Sequence, residues 1–229
     1  LVLRLLGIDF GLPLQLHPDE WSQVDIARGM LAGDLNPHFF RYSSLTIYQL
    51  FALDGALEFV NAFARLETST YFLTARIVSA LYGTVTILIV WWLGRLVWSR
   101  AVGLGAALLL ALAPEAVRQA HYATVDTALV FWMTLALTLG IWAFQKPTRS
   151  FLPAAVAAGL AIGTKYTGAF ILPSLVLRSF GATPSHTFLW RAARRRDSLR
   201  RGCCWEWQGL FFRLHLCKSW RGGGRRTAI

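Results

Sequence analysis

Arg76-Ile77-Val78-Ser79-Ala80-Leu81-Tyr82-Gly83-Thr84-Val85-Thr86-Ile87-Leu88-Ile89-Val90-Trp91-Trp92-Leu93-Gly94-Arg95-Leu96-Val97-Trp98 decides the fold class. Between its two arginines, 18 residues pass without a charge or a proline. A run of that length and character reads as a membrane-spanning helix. Three more apolar stretches follow: Ala101–Ala113 running on to about 120, Thr127–Phe144, and Phe151–Leu177. In a bilayer the backbone must satisfy its own hydrogen bonds, which leaves helices or closed barrels. Continuous apolar runs, rather than period-two alternation, select helices. The expectation is an all-α, polytopic transmembrane helix bundle with about four complete spans. Leu1–Leu16 is too short to cross and lacks the basic start and small-residue cleavage site of a signal peptide. It reads as the end of a helix that begins upstream.

Composition agrees. Of 229 residues, 55% are hydrophobic and 15% charged, against about 25% charged in soluble domains. The net charge of +11 is not a nucleic-acid footprint, because it is not spread over the chain. Residues 1–177 hold 11 Lys/Arg and 10 Asp/Glu, whereas 178–229 hold 12 and 2. All three cysteines, Cys203, Cys204 and Cys217, also lie in that tail. The first two are adjacent, which is not zinc-ligand spacing. The chain therefore divides into a membrane region, 1–177, and a basic tail, 178–229, read as out-of-frame or disordered.

Charge also orients the spans. Arg95 with Arg100, and Lys146 with Arg149, mark two basic loops that the positive-inside rule places in the cytoplasm. Arg76 and Asp126 then fall on the outer face. Before the first long span, residues 21–32 form a short amphipathic helix through Trp21, Val24, Ala27 and Leu31, and Gly33–Pro37 reads as a turn. A second helix, about 45–64, carries Asp54, Glu58, Asn61 and Arg65 on one face. That polar stripe suits a helix lying in the interface plane rather than crossing. Ala155, Gly159 and Gly163 offer a small-residue packing face.

The candidate chemistry lies on the same outer face. In His17-Pro18-Asp19-Glu20, two adjacent carboxylates stand at the membrane edge. Capping the following helix would use one of them; a catalytic or metal role would use both. Asp126, in His121-Tyr122-Ala123-Thr124-Val125-Asp126, starts a span, where an N-cap is the alternative. Lys165 lies inside the apolar run 151–177. A charge there is costly, so it should face a partner or a wet cavity. An Asp could take a proton from an attacking hydroxyl while Arg76 and Lys165 hold a phosphate leaving group. Glu20 and His121 are the candidates for a metal, with a satisfied interface histidine as the competing reading of His121. The competing reading is a transporter or lipid-handling protein with Lys165 and Asp126 as a charge relay.

The stretches His17–Glu20, Ala27–Leu31, Gly33–Pro37, Tyr42-Ser43-Ser44-Leu45, Thr74–Leu81, His121–Asp126 and Gly159–Gly168, in that order, resemble the glycosyltransferase C superfamily. The match looks best to bacterial relatives of the dolichyl-phosphate-mannose protein mannosyltransferases. The resemblance covers 1–177 and implies the N-terminal part of that fold, with interfacial helices in the first outer loop. It implies a polyprenyl-phosphate sugar as donor, a glycan, lipid or protein acceptor, and a site on the outer face of a bacterial plasma membrane. Asp19 is then the candidate base and Glu20 its partner or a metal contact. Asp126, Arg76 and Lys165 become donor-binding candidates. A divalent metal is optional in the superfamily, so no cofactor is assigned. Relatives continue with further spans, so this stretch alone is expected to lack activity.

Overall fold

A computed structural model of the chain describes residues 1–12, 17–61, 67–146 and 148–180, with 177–180 described in backbone only. The reading of 178–229 as a basic tail, its cysteines included, lies outside the described residues apart from the three that end the last helix. Nearly all described residues belong to one unit, Leu1–Leu177. Among them the regular structure is helical throughout: α1 (Val2–Leu5), α2 (Pro18–Met30), α3 (Leu45–Val60), α4 (Thr68–Val97), α5 (Arg100–Leu112), α6 (Pro114–His121), α7 (Val125–Phe144), α8 (Leu152–Thr164), a 3₁₀ segment (Tyr166–Phe170) and α9 (Ile171–Phe180). The chain is an all-α membrane helix bundle.

α4 and α7 are long and apolar enough to cross a bilayer, and α5 with α6 makes a third span if that bent pair counts as one. At about 1.5 Å per residue, the 30 residues of α4 reach about 45 Å, beyond the ~30 Å hydrocarbon layer. The apolar run of α4 extends toward its N-terminus only to Arg76, and the helix overshoots by the turns from Thr68 to Arg76. Helix α4 packs against both α5 and α7, and α7 packs against α8. Gln145 Nε2 donates to the Leu96 carbonyl at 3.2 Å, so the basic loops after α4 and α7 share one end of the bundle.

Two spans and one packing face differ from the sequence reading. The run 101–120 is not straight: α5 and α6 meet at 57°. The break falls at Pro114, which has no N–H to give and clashes with the preceding turn. The run 151–177 is not one helix with Lys165 in its middle. α8 stops at Thr164, Lys165 is extended (φ −154°, ψ 139°), and the 3₁₀ segment folds back on α8. A Cβ on Gly168 would lie 2.4 Å from the Ala161 carbonyl, so only glycine permits that fold-back. The small-residue face also differs. Ala155 and Gly159 are exposed, and it is Ala154, Ala157, Ala158 and Ala161 that are buried, with Ala157 and Ala158 packed near Ala136 of α7. The partner helix chooses the face, and the sequence offered two of similar smallness.

The α4–α5 hairpin turns on Ser99, whose side chain accepts from Val102 N and caps α5. Gly94 and Gly103 let the two backbones touch: a Cβ on Gly103 would lie 2.5 Å from the Trp91 carbonyl. Gly103→Ala is therefore expected to force the pair apart at a cost of about 1–3 kcal/mol. Thermal unfolding in detergent would show it as a lowered midpoint, and an unchanged midpoint would mean the hairpin separates without cost.

The two shorter helices of the first loop pack on one end of this bundle. Val24, Ala27 and Met30 of α2, Ile47 and Leu50 of α3, and Tyr71, Phe72 and Ala75 of α4 form one buried cluster. Trp21, Phe59 and Val60 point away from it and are exposed. With 16 residues, α3 is about 24 Å long, short of a bilayer crossing. Its polar stripe is not wholly turned to water, however. Asp54 is 1% exposed, Glu58 accepts a hydrogen bond from Tyr71, and Arg65 lies outside the described residues.

Candidate active site

Asp19 and Glu20 occupy the first turn of α2, after Pro18 at its first position and His17 as N-cap; His17 Nδ1 accepts from Asp19 N at 3.3 Å. Successive residues on an α-helix point about 100° apart, so the two carboxylates separate. Glu20 turns inward. Its Oε1 accepts from Arg76 Nε at 2.6 Å and Ala123 N at 3.2 Å, and its Oε2 accepts from Arg76 Nη2 at 3.0 Å. Both side chains of the pair are fully buried. Arg76 Nη1 also donates to the carbonyls of Ile8 and Phe10, each at 2.8 Å. The guanidinium has five N–H groups, and these contacts use four. This arrangement revises two expectations. Arg76 faces the protein rather than a phosphate, and Glu20 faces Arg76 rather than Asp19 or a metal. Together they tie α2, α4, the N-terminal segment and the loop before α7 at one point.

Asp19 turns the other way and is half-buried. Tyr42 OH donates to its Oδ1 at 3.0 Å, and among the described residues Oδ2 has no partner. Burial, and then the carboxylate it bonds, push the Tyr42 phenol above its ordinary range, so it remains a donor at neutral pH. The loop that carries Tyr42 is strapped to the break after α8. Ser43 Oγ donates to the Ile162 carbonyl at 2.6 Å, and Tyr166 OH to that of Phe40 at 3.4 Å. That strap brings in Lys165, whose Nζ lies 5.1 Å from the Tyr42 ring centroid, within cation–π range. Lys165 Nζ also bonds Asp126 Oδ1 at 2.7 Å, with Lys165 24% and Asp126 46% exposed. Asp126 is thus in the first turn of α7 as an ion-pair partner, and Thr124, not Asp126, is the N-cap residue.

The result is a row, Asp19–Tyr42–Lys165–Asp126, at the end of the bundle opposite the basic loops. His17 stacks on Tyr122 at 4.9 Å, closing the row on the side of α6. Sequence reasoning quoted Tyr42 within a motif but gave it no role, because a tyrosine before a helix looks like any aromatic of the core.

No metal shell forms from the residues proposed for one. His121 has Nδ1 at 2.8 Å from the Val117 carbonyl and Nε2 at 3.0 Å from that of Leu6. Neither nitrogen is presented to a cation, and Glu20 is held by Arg76. Among the described residues no group of three or more His, Cys, Asp or Glu gathers to hold an ion.

A second buried carboxyl lies nearby in α3. Asp54 Oδ1 has no protein partner, and burial, then the charge of Glu58, pushes the group up to about 7. The folded state therefore holds this proton more tightly than the unfolded chain. The group favours folding fully at acidic pH, and that contribution is lost as pH rises through 7. The slope is about 1.4 kcal/mol per pH unit between the unfolded and folded midpoints. Asp54→Asn is expected to leave stability at pH 4 nearly unchanged and to raise it at pH 8. Parallel pH profiles of wild type and variant unfolding would refute this.

The model of the family "Dolichyl-phosphate-mannose-protein mannosyltransferase" matches residues 11–208. The chain is 32% identical over 192 residues to the undecaprenyl phosphate-alpha-4-amino-4-deoxy-L-arabinose arabinosyl transferase 1 of Pseudomonas fluorescens. That match covers 77% of this chain and 33% of the relative, so the chain spans about a third of that protein's length. No solved structure gives a significant match. These matches favour a transferase over a transporter with Lys165 and Asp126 as its relay. The order of motifs, the all-helical bundle and the family match lead to one conclusion: this chain belongs to the dolichyl-phosphate-mannose-protein mannosyltransferase family.

Proposed function

We propose that the chain carries the base and the donor-phosphate contact of a membrane glycosyltransferase. It would transfer a sugar from a polyprenyl-phosphate carrier to an acceptor hydroxyl on the outer face of a bacterial plasma membrane. The observation that carries the reading is the juxtaposition of a half-free carboxylate, Asp19, with a cation, Lys165, across one tyrosine ring. The relative's name supplies the donor class, an undecaprenyl-phosphate-linked sugar.

Asp19 Oδ2 takes the proton of the acceptor hydroxyl as its oxygen attacks the anomeric carbon. The new C–O bond forms as the bond from that carbon to the phosphate oxygen breaks. The electron pair leaves with the polyprenyl phosphate, and the anomeric configuration inverts. Lys165 keeps two N–H groups beyond the one given to Asp126, and these meet the growing charge on the phosphate. Asp126 holds the ammonium in place. Glu20 and Arg76 touch no reactant and act as positioning residues: they fix the helix that presents Asp19. The acceptor is a glycan, lipid or protein hydroxyl.

The test is transfer by the full-length gene product in proteoliposomes supplied with an undecaprenyl-phosphate sugar. Labelled product that depends on the phosphate-linked donor is expected. No transfer from any polyprenyl-phosphate sugar to lipid, glycan or polypeptide acceptors would overturn the reading.

A further inference from the structure

Directly beneath the Glu20–Arg76 pair, a pocket of about 30 Å³ lies between α2, α3, α4 and the start of α7. Gln23, Thr46, Ser79 and Thr124 line it, with Gln49 and Tyr82, which bond each other at 2.9 Å, and apolar neighbours. Gln23 follows Glu20, and Ser79 follows Arg76, by three residues, so each points about one turn deeper along its helix. Gln23 is 1% and Ser79 4% exposed. Gln23 Oε1 accepts from Thr46 Oγ1 at 2.7 Å. Gln23 Nε2 and Ser79 Oγ have no protein partner.

Size and polarity together select the ligand. The volume exceeds the roughly 10–15 Å³ that a single water needs and is too small for a sugar or a phosphate. An apolar pocket of this size would stay dry, but two polar groups on facing helices converge here, and buried polar groups are rarely left unpaired. The amide N–H is a donor, which repels a cation and suits a neutral oxygen.

We propose that this pocket is a resident-water site. The water accepts from Gln23 Nε2 and exchanges a hydrogen bond with Ser79 Oγ. It joins α2 to α4 one turn below the buried ion pair, so the helix that presents Asp19 is fixed at two levels rather than one. The site stands on packing and polarity alone and does not rest on the transfer reading.

The whole chain in detergent micelles or nanodiscs serves for the test. In Ser79→Val the added methyl groups enter the pocket. If water resides there, they displace it and strand Gln23 Nε2, and the unfolding midpoint falls by about 2–4 °C or more. If the pocket is dry, the same methyl groups fill a void and the midpoint holds or rises, which overturns the proposal. The second measurement uses the unmodified chain and decides the matter should the variant not fold. Water-to-protein NMR at the Gln23 side-chain amide is expected to detect a water that exchanges more slowly than surface hydration. No such contact at that amide overturns the proposal.

Discussion

Arg76→Met is expected to destabilise the bundle by about 3–5 kcal/mol, the cost of removing one partner from a buried ion pair. The magnitude follows from what is left behind. Glu20 would remain fully buried with only the Ala123 N–H to share its charge. The carbonyls of Ile8 and Phe10 would lose their donor as well. Arg76→Lys is expected to be nearly as harmful, because an ammonium cannot span a bidentate carboxylate and two carbonyls from one rigid fork. The double variant Glu20→Gln/Arg76→Met should recover a large part of the loss, since no charge is then stranded. Unfolding in detergent, followed by tryptophan fluorescence, measures all three together with Glu20→Gln alone. If the double variant is as unstable as the sum of the two singles, the pair is not coupled and the account of this joint fails.

Asp19→Asn is expected to lower sugar transfer by about 10²–10⁴-fold, the usual weight of a general base. The stability of the fold should change little. An asparagine carbonyl can still accept from Tyr42 OH, and the side chain is half-buried rather than sealed. The loss should therefore fall on kcat and leave the donor KM nearly as it was, since the donor phosphate is assigned to Lys165. The measurement is steady-state transfer in proteoliposomes with the polyprenyl-phosphate sugar varied. Transfer at the wild-type rate by the Asn variant would remove Asp19 from the mechanism. A large rise in donor KM at unchanged kcat would reassign it to binding. The contrast with Arg76→Met is itself informative: one carboxylate of an adjacent pair should govern rate, and the partner of the other should govern folding.

Much of the fold was legible because hydropathy and charge act locally. The run from Arg76 to Arg95 could only be a span, and the loops holding Arg95, Arg100, Lys146 and Arg149 fell at one end as the charge rule required. The breaks were less legible. Pro114 stood in plain view, yet the sequence did not say that α5 and α6 would meet at 57°. Lys165 read as a mid-span charge because the surrounding residues are apolar. It is at the end of α8 because Gly168 lets the backbone fold over Ala161 and because Asp126 waits there.

The sequence by itself determined the solvent in which this chain folds and put forward the short list Asp19, Glu20, Arg76, Asp126 and Lys165. Those follow from the cost of placing charge and unpaired backbone in hydrocarbon, which every residue meets alone. Only the tertiary structure decided how the list divides. Asp19 and Glu20 are adjacent and chemically alike, and a helix turns them about 100° apart. Which of them is sealed depends on where Arg76, 56 residues away, places its guanidinium. Lys165 meets Asp126 across 39 residues, and Tyr42 joins the row because Ser43 is fastened to Ile162. Hydropathy is a property of a segment, but pairing is a property of two segments brought together by packing.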